Sequence, residues 1–104
     1  MRVVFMGTPG FAVGTLKALL EAGHDVAAVV TQPDKPKGRG GAMSFSDVKQ
    51  AAIELGLLVL QPKRARDEEF VNELRKINPD VIVVVAFGQI LSKEILDMPK
   101  YGCV

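Results

Sequence analysis

One run of the chain is suited to hold an anionic ligand: Asp34-Lys35-Pro36-Lys37-Gly38-Arg39-Gly40. Lys35, Lys37 and Arg39 can neutralise phosphates, the glycines let backbone approach a ligand, and the prolines keep the arm from collapsing. A solvated surface loop is the competing reading. A second candidate is the turn Gly7-Thr8-Pro9-Gly10-Phe11, which leads into a helix whose first amides could receive an anion. Its glycines, at 7, 10 and 14, do not spell G-x-G-x-x-G, and the second strand ends at Thr31-Gln32 where a dinucleotide site wants an acid. A tight turn and close helix packing account for them adequately. The third candidate is Phe87-Gly88-Gln89, at the end of the most apolar run in the chain.

Acid–base and nucleophilic groups are scarce. His24, the only histidine, falls between the first helix and the second strand and reads as a solvated turn residue at the amino edge of the sheet. Cys103 reads as a small core residue. Asp34 is the only carboxylate expected near a crevice. No paired acids, metal-ligand cluster or Ser–His arrangement appears, so no catalytic residue is assigned and no metal is expected. A base would have to come from chain beyond Val104 or from another subunit.

These residues need a scaffold, and the run Val81-Ile82-Val83-Val84-Val85-Ala86 supplies its key. It does not alternate, so it reads as a parallel strand covered on both faces by helices. Strands are also expected over 2–6, 26–31 and 57–60, and helices after Pro9, Ser46, Asp67 and Ser92. Thr8, Ser46, Asp67 and Ser92 are candidate N-caps, Gly23 and Gly56 end helices, and Asn78-Pro79 stops the third. Residues 32–45 read as a long loop without apolar periodicity. The pattern predicts an α/β, doubly wound Rossmann-like parallel sheet, with spatial order third, second, first, fourth strand. The switch point then brings residues 7–11 and 87–91 to one crevice, where such sheets bind ligands.

Composition narrows the alternatives. A chain of 104 residues with net charge +1 is one domain and offers no whole-protein argument for nucleic acid. One cysteine, no signal peptide and no membrane-length apolar run point to a cytoplasmic protein with no membrane association. The chain stops at Tyr101-Gly102-Cys103-Val104 as an apolar segment begins, which reads as a fragment of a longer protein; a short natural module is the alternative. An edge left open on the fourth strand would favour self-association.

Three stretches carry a resemblance: Phe5-Met6-Gly7-Thr8-Pro9-Gly10-Phe11-Ala12, Thr31-Gln32-Pro33-Asp34-Lys35-Pro36-Lys37-Gly38-Arg39-Gly40, and Val83-Val84-Val85-Ala86-Phe87-Gly88-Gln89-Ile90-Leu91. With them, residues 1–104 resemble the N-terminal half of the catalytic domain of the methionyl-tRNA formyltransferases. The resemblance implies formyl transfer from 10-formyltetrahydrofolate to the amino group of initiator methionyl-tRNA. It implies that Phe87, Gly88, Gln89, Ile90 and Leu91 cradle the pteridine by their backbone. It further implies that Thr8, Pro9 and Phe11 lie beside the acceptor site, and that Lys35, Lys37 and Arg39 meet the acceptor end of the tRNA. The remainder of the parent chain would supply the family's Asn-x-His motif and later aspartate, leaving these 104 residues inactive alone.

The chain departs from the family pattern at Gly10, usually acidic, at Gly14 and Ser92, where proline is common, and at Phe87, usually tyrosine. Gly41-Ala42 stands where further lysines are common. Two other readings stay open: a fragment of an amino-sugar-nucleotide formyltransferase, which has no need of the basic arm, and a non-catalytic α/β binding module.

Overall fold

The computed structural model describes residues 1–37 and 42–104. β1 (Arg2–Gly7) is almost wholly buried and pairs in parallel with β2 (Asp25–Val30) on one side. On its other side it pairs with β6 (Val81–Val85). β2 also pairs in parallel with β5 (Val59–Leu60), so the sheet runs β5-β2-β1-β6. This is the expected spatial order, and the crossovers place helices on both faces.

One face buries Phe5, Val26 and Val29 against Ala12 and Leu16 of α1 (Phe11–Glu21) and Val48 and Ala52 of α2 (Asp47–Glu54). The other buries Val4, Met6, Ala28, Val30 and Ile82 against Phe70, Val71 and Leu74 of α3 (Glu68–Ile77) and Ile95 of α4 (Lys93–Asp97). Alternate residues of β1 thus serve opposite cores, which is why its sequence shows no polar position between Val3 and Met6.

The helix ends follow local chemistry in most places. Ser46 accepts from the Lys49 amide at 3.0 Å, and Ser92 accepts from that of Ile95 at 3.4 Å. Asn78 closes α3 in the left-handed region, before Pro79. Asp67 stands at the N-cap of α3 without a side-chain cap bond. Thr8 does not cap α1: the N-cap is Gly10, with no side-chain bond, and the Thr8 hydroxyl is used elsewhere.

Three expectations are corrected. Residues 32–45 are not all loop: β3 (Lys35–Lys37) and β4 (Ala42–Ser44) pair antiparallel in a separate two-stranded sheet. Lys35, Pro36, Ala42 and Met43 are exposed, so no buried face imposed the alternation by which a strand is recognised. Second, β6 is covered on both faces but less deeply than its unbroken apolar run suggests: only Ile82 is fully buried, while Val84 packs half-buried on one core and Val83 and Val85 on the other. Third, its outer edge is not bare. The Ile82 amide donates to Gly102 O, the Val104 amide to Ile82 O and the Val84 amide to Val104 O, at 2.8–3.1 Å. Self-association through this edge would have to displace that pairing.

Of the glycines at 7, 10 and 14, Gly7 is the one backbone packing demands. A Cβ there would stand 2.9 Å from both a Phe5 ring carbon and the Val85 carbonyl oxygen. Gly14, inside α1, has nothing within 4 Å. Gly7→Ala is expected to lose about 1–3 kcal/mol, whereas Gly14→Ala gains up to about 1 kcal/mol from helix propensity. Thermal unfolding of the two variants should move in opposite directions.

Candidate functional site

The crevice forms where β1 and β6 end side by side. Their pairing runs in register to Gly7 opposite Val85, so the chain leaves both strands at one level. The Thr8 hydroxyl donates to the Phe87 carbonyl at 2.7 Å and joins the two loops directly. Past β6, Ala86 and Gly88 both take positive φ, 50° and 95°. A non-glycine residue in that region is strained, and the surrounding bonds hold it there.

Those bonds come from glutamines. Gln32, just past β2, donates from Nε2 to the Gly88 carbonyl at 3.0 Å. Gln89 donates from Nε2 to Gln32 Oε1 at 2.9 Å and to the Pro62 carbonyl at 3.0 Å, while its Oε1 accepts from the Ala65 amide at 2.7 Å. The Gln89 side chain therefore braces the loop after β5. Phe87 is likewise occupied: its ring is buried in the core and its carbonyl accepts from Thr8. Leu91 is half-buried against the same core, and Ile90 projects with 93% of its surface exposed.

Thr8 and Pro9 are half-buried and Phe11 is exposed beside them. Lys35 is exposed on β3, and Arg39 and the side chain of Lys37 lie outside the described residues. The ribbon is joined to the crevice through Gln61, whose Nε2 reaches the Gln32 carbonyl at 3.2 Å and Asp34 Oδ1 at 2.8 Å. Asp34 also accepts from Lys49 Nζ on both oxygens, at 3.0 and 2.9 Å. The Gln61 and Lys49 hydrogen bonds hold its carboxyl below the usual aspartate value, so it is charged at neutral pH.

A cleft of about 500 Å³ opens beside this junction, lined by Gln32, Lys63, Arg64, Ala65, Arg66, Gln89 and Ile90. Its three cations were not singled out in the sequence. Lys63-Arg64-Ala65-Arg66 looks like ordinary solvated charge before α3, and only the Gln89 bonds to Pro62 and Ala65 draw it to the crevice. The Thr31 hydroxyl is wholly buried and shares a 2.6 Å hydrogen bond with Ser46 Oγ, so the end of β2 offers no acid to a ribose.

His24 is half-exposed just before β2, far from this end of the sheet. Cys103 is half-buried; desolvation, then the Asp97 charge, pushes its thiol up, which favours the thiol over the thiolate. Among the described residues, no group of three or more His, Cys, Asp or Glu side chains could hold a metal ion, and no helix is long and apolar enough to cross a membrane.

A doubly wound sheet with its loops gathered at a switch point defines a class of ligand-binding α/β domain. The sequence profile described as formyl transferase matches residues 1–104, and the chain belongs to that family. It is 70% identical over 104 residues to the methionyl-tRNA formyltransferase of Lachnospira eligens and 62% identical to that of Agathobacter rectalis. Those alignments cover 100% of this chain but 33% and 34% of the two relatives, so the chain spans about a third of their length. Among solved structures, phosphoribosylglycinamide formyltransferase from Bacillus halodurans superposes with a TM-score of 0.70 at 14% identity, over 99% of this chain and 54% of that one. Glycinamide ribonucleotide transformylase 1 from Symbiobacterium toebii gives 0.71 at 12% identity, over 99% and 49%. At such identities the two structures share the fold.

Proposed function

We propose that these residues are the N-terminal half of a catalytic domain that transfers a formyl group from 10-formyltetrahydrofolate to the amino group of initiator methionyl-tRNA, in the cytoplasm. The observation that carries this reading is the junction at Gln32. One face of Gln32 holds the loop 87–91, and its own carbonyl is tied through Gln61 to the foot of the basic ribbon. A donor loop and an RNA-binding arm are thereby built from one hydrogen-bonded unit. The names of the relatives at 70% and 62% identity support the same reading.

In this reading the backbone of 87–91 receives the pteridine. The cleft of about 500 Å³ lies within the range of small-molecule sites, and Lys63, Arg64 and Arg66 on its rim suit the carboxylates of the folate's glutamate. Thr8, Pro9 and Phe11 border the acceptor side, while Lys35, Lys37 and Arg39 bind tRNA phosphates. The carboxylate nearest the turn 7–11 among the described residues is the exposed Asp47, whose Oδ2 would stand 2.9 Å from a Cβ at Gly10, and it is given no catalytic role in this reading. The parent chain supplies the base, with oxyanion stabilisation for attack of the amine on the formyl carbon. An amino-sugar nucleotide has no long polyanion for the arm to meet, which favours the tRNA reading.

The test is formyl transfer by the polypeptide continued past Val104 to its natural stop. Labelled 10-formyltetrahydrofolate is offered with methionyl initiator tRNA and, separately, with an amino-sugar nucleotide. Label on the tRNA is expected. Label on the sugar nucleotide, or on neither, overturns the reading.

A further inference from the structure

Asp34 is an acid placed at the root of an arm that is otherwise basic. It is the last residue before β3, and Lys49 lies in the first turns of α2, just after β4. Their ion pair therefore closes the two ends of the ribbon. Both carboxylate oxygens are engaged, and the Lys49 and Asp34 side chains are only 13% and 23% exposed. Gln61 ties the same carboxylate to the end of β5, and the Lys49 ammonium also sits 3.8 Å from the centroid of the Phe45 ring. Segments from both ends of the ribbon and from the main sheet thus gather at one carboxylate.

We propose that Asp34 is a positioning residue for the RNA-binding arm: by holding Lys49 and Gln61 it staples the foot of the ribbon, so that the strand carrying Lys35 meets the RNA in one orientation. This rests on the tRNA reading above. A stapled arm loses less conformational freedom on binding than a free one, so the benefit appears in RNA affinity and not in the chemistry. The charge of Asp34 makes the inference sharp. Removing a negative charge beside a phosphate-binding arm should, by charge alone, tighten RNA binding. Loss of the staple should weaken it.

The experiment measures steady-state formyl transfer by the full-length protein, wild type against Asp34→Asn, Lys49→Met, the double variant and Asp34→Glu. Asp34→Asn should raise KM for tRNA about tenfold, the scale of one lost charge-assisted hydrogen bond, with KM for the folate and kcat at saturation within about twofold of wild type. The double variant should be no worse than the poorer single one, and Asp34→Glu should recover part of the loss. A KM for tRNA that is unchanged or lowered overturns the inference. So does a fall confined to kcat, which reports lost folded protein. If Asp34→Asn does not fold, Gln61→Leu, which leaves the ion pair intact, should still raise KM for tRNA about threefold, the weight of a neutral hydrogen bond; no rise is the overturning result. Failure of the wild type to use tRNA at all would instead sink the functional reading.

Discussion

Gly88→Ala is expected to raise KM for 10-formyltetrahydrofolate about thirtyfold while leaving KM for tRNA within about twofold. Two effects add. Gly88 has φ 95°, outside the range an L residue adopts without strain, and a Cβ there would stand 2.7 Å from Gln32 Nε2. The side chain of Gln32 can retreat, but only by giving up its bonds to Gly88 O and Gln89. Strain of about 1–2 kcal/mol and roughly one lost net hydrogen bond together exceed about 2 kcal/mol. Because the loop is already strained at Ala86, relaxation should run along 86–89 and alter the backbone proposed to receive the pteridine. Steady-state kinetics with each substrate varied in turn check this. A folate KM within about twofold of wild type would remove loop 87–91 from the donor site.

Replacing Lys35, Lys37 and Arg39 together by alanine should lower kcat/KM for tRNA about a hundredfold near physiological salt. The slope of log affinity against log salt should flatten by roughly two to three units, because each phosphate that a cation neutralises releases a little under one counterion. KM for the folate should not change, because the Gln32 side chain still braces loop 87–91. Under the proposed function the two groups of variants should therefore separate the substrates, Gly88→Ala moving only the donor's KM and the triple variant only the acceptor's. An unchanged salt slope in the triple variant would mean that the arm does not touch RNA.

The elements and their order were legible because they depend on neighbours in sequence. Ser46 and Ser92 cap their helices three residues on, Asn78 stops α3 before a proline, and the apolar runs of β1 and β6 announce burial on two faces. The meeting of loops 7–11 and 87–91 also followed, because parallel strands with right-handed crossovers allow few arrangements. Those steps reached the crevice and the resemblance to formyltransferases, but stopped at the side chains.

What tertiary structure decided is where each polar group spends its hydrogen bonds. Thr8 reads as a helix cap, yet bonds to Phe87, 79 residues away. Gln89 is read for its backbone, and nothing nearby in sequence shows that its side chain is committed to Gln32, 57 residues away, and to the loop after β5. Asp34 stands out in the sequence only as a carboxylate near a crevice, yet it holds Lys49 and Gln61. The described residues of β3 and β4 are exposed apart from the half-buried Ser44, so no periodicity marked them. Periodicity records burial averaged over a turn or a strand, and a cap is satisfied within four residues. The partner of a loop side chain depends on how two distant backbones approach, to within the few tenths of an ångström that separate a hydrogen bond from none.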